Sequence, residues 1–219
     1  MTEVWLLILA YLIGSISNAI WISKKFHHKD IRDYGSGNAG ATNTFRVLGL
    51  KTGLFVLVLD MLKGIAAVKL ALLIPQYAMA VNSTQLINFE IGLGLAAVLG
   101  HIFPIWYDFR GGKGIATLFG MVLAIQPWVA LCCVGVFAII LFLTKYVSLS
   151  SILAGIAFPL LIIFIFREQG VVFRIFAIVT ALLVVLTHQK NIGRLLKGEE
   201  NKIKKASHRH DDNGDTEEL

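Results

Sequence analysis

The sequence predicts an all-α, polytopic integral membrane protein with about seven transmembrane helices. Hydrophobic residues make up 56% of the 219-residue chain, and the mean hydropathy of +0.72 is too high for one soluble domain. Several apolar runs approach the roughly 20 residues that a helix needs to cross a bilayer. Basic residues gather at alternate connections between these runs, which is the pattern that the positive-inside rule describes.

Seven apolar segments carry this prediction, at about 4–23, 53–75, 86–107, 115–126, 128–144, 148–166 and 171–188. The fourth is short, and it would cross fully only in a thinned or tilted setting. Five crossings satisfy the same charge pattern if this segment and a neighbour are re-entrant. Pro127 predicts a tight turn after the fourth segment. Residues 42–50 predict a separate helix that is too short to span.

The charge pattern places the odd-numbered connections and the C-terminus in the cytoplasm and the N-terminus outside. Residues 1–200 are predicted to form the membrane domain, and residues 201–219 a polar, disordered tail. Topology and anionic ligands explain the net charge of +6, and no aromatic-interleaved basic face suggests nucleic-acid binding. The adjacent Cys132 and Cys133 lie inside an apolar run, so neither a disulfide nor a metal site is expected.

The first connection contains DIRDYGSGNAGATN, residues 30–43, which is unusually polar and rich in glycine. Glycine lets backbone amides approach a ligand closely, and successive exposed N–H groups bind anions. We therefore expect a phosphate cradle at the membrane surface, with a nearby arginine. The candidate residues are Gly35, Ser36, Gly37, Asn38, Gly40, Thr42, Asn43 and Arg46.

A second polar cluster, GHIFPIWYDFRGGKGIAT, occupies residues 100–117. A lysine before a helix N-terminus is a favourable anion site, and the helix is predicted to begin at Ile115. The loop does not match a nucleotide-binding Walker A motif, because Tyr107 and Gly114 replace its required glycine and hydroxyl residue. A tight turn with interfacial cations is the simpler alternative. The candidate residues are His101, Arg110, Gly111, Gly112, Lys113 and Gly114.

The third cluster is HQKNIGRLLKGEE, residues 188–200, in which His188, Asn191 and Arg194 repeat every third position. On a helix these three side chains share one face, and Arg194 is a candidate phosphate-binding residue. A lone interfacial histidine is more often a satisfied group than a catalyst. Asp60 and Lys63 are also three apart, and a structural ion pair that supports the first loop is the favoured interpretation. All three clusters are predicted on the cytoplasmic side, where they can meet.

With LDMLKG at residues 59–64, these motifs resemble the bacterial acyl-phosphate:glycerol-3-phosphate acyltransferases, the PlsY family. The motifs have the order and spacing of that family, and the resemblance covers about residues 3–200. It implies an inner-membrane protein of seven helices whose active site faces the cytoplasm. It also implies transfer of a fatty acyl group from acyl phosphate to the 1-hydroxyl of glycerol 3-phosphate. Lysophosphatidic acid and inorganic phosphate are the implied products.

The resemblance implies catalytic or ligand roles for Ser36, Arg46, His101, Lys113, His188 and Asn191. Acyl phosphate has a good leaving group, so no covalent acyl-enzyme is expected, and Ser36 is assigned to phosphate binding through its hydroxyl and backbone amides. His188 and a substrate phosphate oxygen remain alternative proton acceptors. No cofactor or metal is expected, and coupling to the enzyme that makes acyl phosphate is implied.

Each of the two glycine-rich loops is a candidate for either substrate phosphate. A transporter for a phosphorylated solute is the main alternative from another class. Transporters usually bind their substrate near the middle of the membrane and contain internal repeats, whereas here the polar clusters lie at one face.

Overall fold

The computed structural model describes residues 1–80, 83–168 and 170–203, and this part of the chain is helical with connecting turns. The tail predicted to begin at residue 201 lies outside the described residues from residue 204 onward. The helices are α1 (Thr2–Ser15), α2 (Asn18–His27), α3 (Ala41–Lys69), α4 (Pro75–Met79), α5 (Thr84–Ile102), α6 (Ile115–Ile125), α7 (Pro127–Thr144), α8 (Val147–Leu160), α9 (Val171–Thr187) and α10 (Gln189–Leu196).

The first apolar segment is broken, where the sequence predicted one continuous helix. Ile16 and Ser17 adopt extended conformations, and α1 and α2 meet at an angle of 40°. A break inside a membrane frees backbone groups that need other partners. The ammonium of Lys63 supplies one, donating to the carbonyl oxygens of Gly14 at 3.0 Å and Ile16 at 2.8 Å.

Helix α3 is interrupted near its start. Gly49 has φ 85° and ψ 177°, a conformation that is not helical and that glycine adopts readily. The stretch before it is therefore a short helix of its own, as residues 42–50 predicted. The longer part after Gly49 carries the ion pair of Asp60 and Lys63, whose charged atoms are 3.1 Å apart as the spacing predicted.

Helices α1 and α3 pack closely against α5 and α6 through glycine. Gly14 lies directly against the backbone of Ala97, and Gly64 lies directly against the backbone of Thr117. A Cβ atom at either glycine would overlap the facing helix, so these contacts require small residues, as is usual between membrane helices. The close packing brings the C-terminal end of α5 and the N-terminal end of α6 beside the first connection, which contains residues 30–43.

The first predicted apolar segment contains both α1 and α2. The other six contain, in chain order, α3, α5, α6, α7, α8 and α9. Pro127 is the first residue of α7, as the predicted turn requires. Within the described ranges, three helices are long and apolar enough to span a membrane, and five spans result if each bent helix pair counts as one. The short fourth segment is α6, with 11 residues. The fold is thus that of an all-helical integral membrane protein.

Candidate active site

A cavity of about 400 Å³ opens where the three polar clusters meet. One end is polar, and the other is formed by apolar side chains of α6, α7, α8 and α9. The polar end includes eleven residues that the sequence predicted: Ser36, Asn38, Gly40, Thr42, Asn43, Arg46, His101, Lys113, Gly114, His188 and Asn191. Six other predicted residues lie outside the lining: Gly35, Gly37, Arg110, Gly111, Gly112 and Arg194.

The side chain of Asn43 holds the glycine-rich loop in shape. Its Oδ1 accepts a hydrogen bond from the backbone N–H of Ser36 at 2.8 Å. Its Nδ2 donates to the carbonyl oxygens of Ile31 and Tyr34, both at 3.0 Å. Asn43 is only 1% exposed, so its amide is committed to the loop. Gly35 sits against this amide with φ 62°, leaving no room for a side chain.

The loop's backbone amides differ from the sequence prediction. The N–H of Ser36 donates to Oδ1 of Asn43 at 2.8 Å. The N–H groups of Gly37 and Gly40 donate to the carbonyl oxygens of Tyr34 and Asn38, respectively, both at 3.0 Å. They close turns and are not free to hold a phosphate, so the prediction of an amide cradle within the loop is wrong for these three.

The N-terminus of α3 lies within the same stretch and presents other backbone donors. Gly40 precedes the helix without a capping side chain, and the first N–H groups of any helix lack partners within it. Thr42 and Arg46 lie on the first turns of the same helix, and both are exposed. The helix end, the hydroxyl and the guanidinium together make a site suited to an anion.

The first two polar clusters are joined by Arg32. Its guanidinium donates to the carboxylate of Asp30 at 2.8 and 3.0 Å and to the carbonyl oxygen of Tyr107 at 3.2 Å. Hydrogen bonds from Arg32, with a further contact from Lys24, hold the pKa of Asp30 well below its usual range. Asp30 is therefore a fixed anion that anchors this link, and the two loops form adjoining walls of the cavity.

The loop before α6 folds back along the end of α5. The N–H groups of Gly111 and Gly112 donate to the carbonyl oxygens of Ile102 and His101, both at 3.1 Å. This hairpin turns Lys113 into the cavity while Arg110 stays exposed on the outside. Gly112 lies directly over the ring of His101, so a side chain there would collide with the imidazole.

Burial lowers the pKa of Lys113 to about 8. Nearby Glu200 opposes this shift, whereas Arg194 and Arg46 reinforce it because like charges disfavour the ammonium. The ammonium of Lys113 also donates a hydrogen bond to Oδ1 of Asn191. Lys113 is thus a partly desolvated cation placed at the meeting point of all three clusters.

His188 caps α10 and is 2% exposed. Its Nδ1 lies 2.8 Å from the carbonyl oxygen of Val184. A carbonyl only accepts, so Nδ1 carries the hydrogen and the neutral ring keeps a lone pair on Nε2. His188 therefore has the tautomer that a proton acceptor needs. His101 is also buried, with Nδ1 3.2 Å from the hydroxyl of Thr117.

Glu200 is a site residue that the sequence did not single out. Its carboxylate accepts hydrogen bonds from Asn191 at 2.8 Å, Ser148 at 3.0 Å and Arg194 at 2.8 Å. Burial would raise the pKa of Glu200, but these hydrogen bonds outweigh it and the pKa lies below its usual value. Arg194, a candidate phosphate-binding residue, lies outside the cavity lining and donates to Glu200 through Nε. Gly198 has φ 72° and turns the chain back after α10. A glycine just beyond a helix is the sequence signal for this turn.

Comparison with known proteins finds relatives that match most of the chain. The family model described as glycerol-3-phosphate acyltransferase matches residues 4–198. Glycerol-3-phosphate acyltransferase 2 of Bacillus anthracis is 48% identical, over 90% of this chain and 97% of its own. The glycerol-3-phosphate acyltransferase of Staphylococcus carnosus is 43% identical, over 93% and 99%.

Two crystal structures of PlsY, an integral membrane glycerol 3-phosphate acyltransferase, share this fold. Its glycerol 3-phosphate form has a TM-score of 0.83 at 39% identity, and its lysophosphatidic acid form has a TM-score of 0.80 at 38%. Each comparison covers 93% of this chain and 96% of the other. The chain therefore belongs to the glycerol-3-phosphate acyltransferase family, integral membrane enzymes of phospholipid synthesis.

Proposed function

We propose that the protein transfers a fatty acyl group from acyl phosphate to the 1-hydroxyl of glycerol 3-phosphate. The products are 1-acyl-glycerol 3-phosphate, that is lysophosphatidic acid, and inorganic phosphate. The observation that carries this proposal is one cavity that has both a cationic, polar end and an apolar end. An acyl phosphate has the same two parts, and its reactive carbonyl joins them.

The apolar end suits the acyl chain. It is lined by side chains such as Phe119, Phe137, Phe158 and Val184. Burying methylene groups against such a surface contributes about 0.8 kcal/mol for each CH₂. With the chain held there, the carbonyl and phosphate of the donor reach the polar end, beside Ser36 and His188.

The polar end suits two phosphates. Arg46 and Lys113 neutralise phosphate charge, while the α3 N-terminus supplies backbone donors and Ser36, Asn38 and Thr42 add side-chain donors. The acceptor glycerol 3-phosphate lies between Lys113, Asn191 and His188. His101 supports the loop from beneath, because its carbonyl oxygen holds the N–H of Gly112.

The reaction needs no covalent enzyme intermediate. The 1-hydroxyl oxygen attacks the acyl carbonyl carbon, and the bond from that carbon to the bridging phosphate oxygen breaks. The hydroxyl proton goes to Nε2 of His188 or to a phosphate oxygen of a substrate. Phosphate leaves as an anion, and Arg46 and Lys113 stabilise the charge that develops on it. Proximity of the two bound substrates supplies much of the remaining acceleration.

The protein is proposed to work in the bacterial inner membrane with the cavity open to the cytoplasm. Basic residues beside the first and third connections support this orientation, which places the N-terminus outside and the C-terminus in the cytoplasm. Seven crossings, with α6 as the short one, likewise place the two termini on opposite sides of the membrane. The membrane domain is assigned to residues 1–200, and the enzyme is coupled to the one that makes acyl phosphate.

The test is a purified-protein assay with acyl phosphate and glycerol 3-phosphate that follows phosphate release and lipid product. We expect release to depend on both substrates and to match lysophosphatidic acid formation one to one. Acyl-CoA in place of acyl phosphate should give no product. Phosphate release that does not depend on glycerol 3-phosphate, or strong turnover of acyl-CoA, would contradict the proposal.

A further inference from the structure

The buried ion pair of Asp60 and Lys63 lies at the break between α1 and α2. Lys63 Nζ contacts the carbonyl oxygens of Gly14 and Ile16 at 3.0 and 2.8 Å, where α1 ends. The C-terminal end of a helix carries partial negative charge, which favours a cation. Lys63 is 6% exposed as a side chain, so this contact is made away from water.

Asp60 completes the arrangement at the other side of the break. Its Oδ1 accepts a hydrogen bond from Nδ2 of Asn18 at 2.9 Å, and Asn18 is the first residue of α2. The N-terminal end of a helix favours an anion. The pair therefore has a matched polarity, with the cation at the end of α1 and the anion at the start of α2.

Helix α2 leads directly to the glycine-rich wall of the cavity. Near its end, the hydroxyl of Ser23 accepts a hydrogen bond from the N–H of Ile31 at 3.3 Å. Lys24 forms an ion pair of 3.0 Å with Asp30, which anchors the loop through Arg32. The direction in which α2 leaves the break therefore sets where this loop lies.

The same carboxylate also reaches the second wall. Asp60 Oδ1 lies 3.7 Å from Nδ1 of His101. The ring of His101 lies under Gly112, whose N–H is held by the carbonyl oxygen of His101 at 3.1 Å. Lys113 follows Gly112 in the chain. The carboxylate of Asp60 thus contacts both Asn18, at the start of the helix that leads to the glycine-rich loop, and His101, which supports the Lys113 loop.

We propose that Asp60 and Lys63 are positioning residues that fix the glycine-rich loop and the Lys113 loop relative to each other, by pinning the broken α1–α2 helix and backing His101. This inference rests on the proposed acyl transfer, because it assigns the pair a role in binding glycerol 3-phosphate. A buried pair that served stability alone would not require this polarity, since apolar replacements are often neutral.

The first test is Asp60→Asn, with KM for glycerol 3-phosphate, kcat and Tm measured on the purified protein. We expect KM to rise by about tenfold or more, since displacement of binding groups by about 1 Å has effects of this size. The exchanged variant Asp60→Lys with Lys63→Asp keeps both charges but reverses the polarity at the break. It should not restore the wild-type KM.

The chain offers a matched control in the pair of Lys69 and Glu90, 3.4 Å apart, with the Glu90 side chain 7% exposed. Glu90 precedes His101 by eleven residues on α5, or about 16 Å along the helix. Glu90→Gln should lower Tm but leave KM and kcat within about twofold of wild type, because its pair contacts neither loop.

Two outcomes would overturn the proposal. One is an Asp60→Asn protein that loses Tm as Glu90→Gln does while KM and kcat stay at wild-type values. The other is wild-type KM in the charge-exchanged variant. Where these variants do not fold, Asn18→Ala removes the contact between Asp60 and α2 without changing a charge, and an unchanged KM there also refutes the role. Loss of all activity in the wild-type assay would instead refute the acyl transfer itself.

Discussion

Asn191 Nδ2 donates a hydrogen bond of 2.8 Å to the carboxylate of Glu200, nine residues further along the chain. The same amide accepts a hydrogen bond from Lys113 through Oδ1. Asn191 therefore has a fixed orientation, with its acceptor toward the cation and its donor toward the anion. A role in binding an oxyanion is limited to the remaining hydrogen of Nδ2.

Glu200→Gln should weaken the site without altering its shape. Glutamine keeps an oxygen for the bonds from Asn191 and Ser148 but loses the charged acceptor of Arg194, and a hydrogen bond to a charged group contributes about 1.5–3 kcal/mol. We expect kcat/KM to fall about 10- to 100-fold, measured with glycerol 3-phosphate as the varied substrate. The neighbouring Glu199 is exposed, and Glu199→Gln should behave as wild type. Equal losses in both variants would contradict this role of Glu200.

The pH dependence of kcat/KM should have a basic limb set by Lys113. Its pKa is lowered to about 8, so the ammonium is charged below that pH and neutral above it. We expect kcat/KM for glycerol 3-phosphate to fall about tenfold for each pH unit above 8. Lys113→Arg, which stays charged, should remove this limb even though its activity is lower. A limb that persists in the arginine variant would assign it to another group.

His188→Gln tests the proton acceptor. Nε2 of the neutral ring keeps its lone pair because Nδ1 is held by Val184, so we expect kcat to fall at least about 100-fold with KM changed little. Steady-state rates over a range of glycerol 3-phosphate concentrations separate the two constants. Near-normal kcat with a raised KM would identify His188 as a ligand and leave a substrate phosphate as the acceptor.

Ser36→Ala should retain measurable turnover. Because the backbone N–H of Ser36 donates to Asn43, only the hydroxyl of Ser36 is available to a phosphate. Loss of this hydroxyl should raise the KM for the substrate whose phosphate it contacts by about 5- to 10-fold. Mass spectrometry of the wild-type protein after incubation with acyl phosphate alone should show no added acyl group. An acylated Ser36, together with an inactive alanine variant, would establish a covalent route instead.

Local patterns predicted the parts of the fold that depend on neighbours in sequence. The three-residue spacing of Asp60 and Lys63 indicated a pair on one helix face, and Pro127 indicated where α7 begins. The break at Ile16 and Ser17 was not predicted, because neither residue disfavours a helix strongly. It is stabilised by Lys63, which lies far away in the sequence.

The site shows the same division. The sequence identified His188, Asn191 and Lys113 because glycine, amide and charge patterns are visible along the chain. It did not identify Glu200, whose role depends on a reversal at Gly198 and on contact with Ser148 on another helix. Three backbone amides of the predicted cradle are instead paired within the loop, because contacts such as that of the Asn43 side chain cannot be read from spacing.

The apolar end of the cavity allows a test of chain-length selection. Cys133 on α7 is half-buried and lines this end, whereas the adjacent Cys132 is exposed and lies outside the lining. Cys133→Phe should exclude about two methylene groups of the chain, or about 1.6 kcal/mol of burial. We therefore expect kcat/KM for long-chain acyl phosphates to fall about tenfold relative to short ones. Cys132→Phe provides the control, since it adds the same bulk to the outer surface. If both variants kept the wild-type chain-length profile, the acyl chain would have to bind along another surface of the helices, because a ring at Cys133 cannot coexist with a chain in contact with that position.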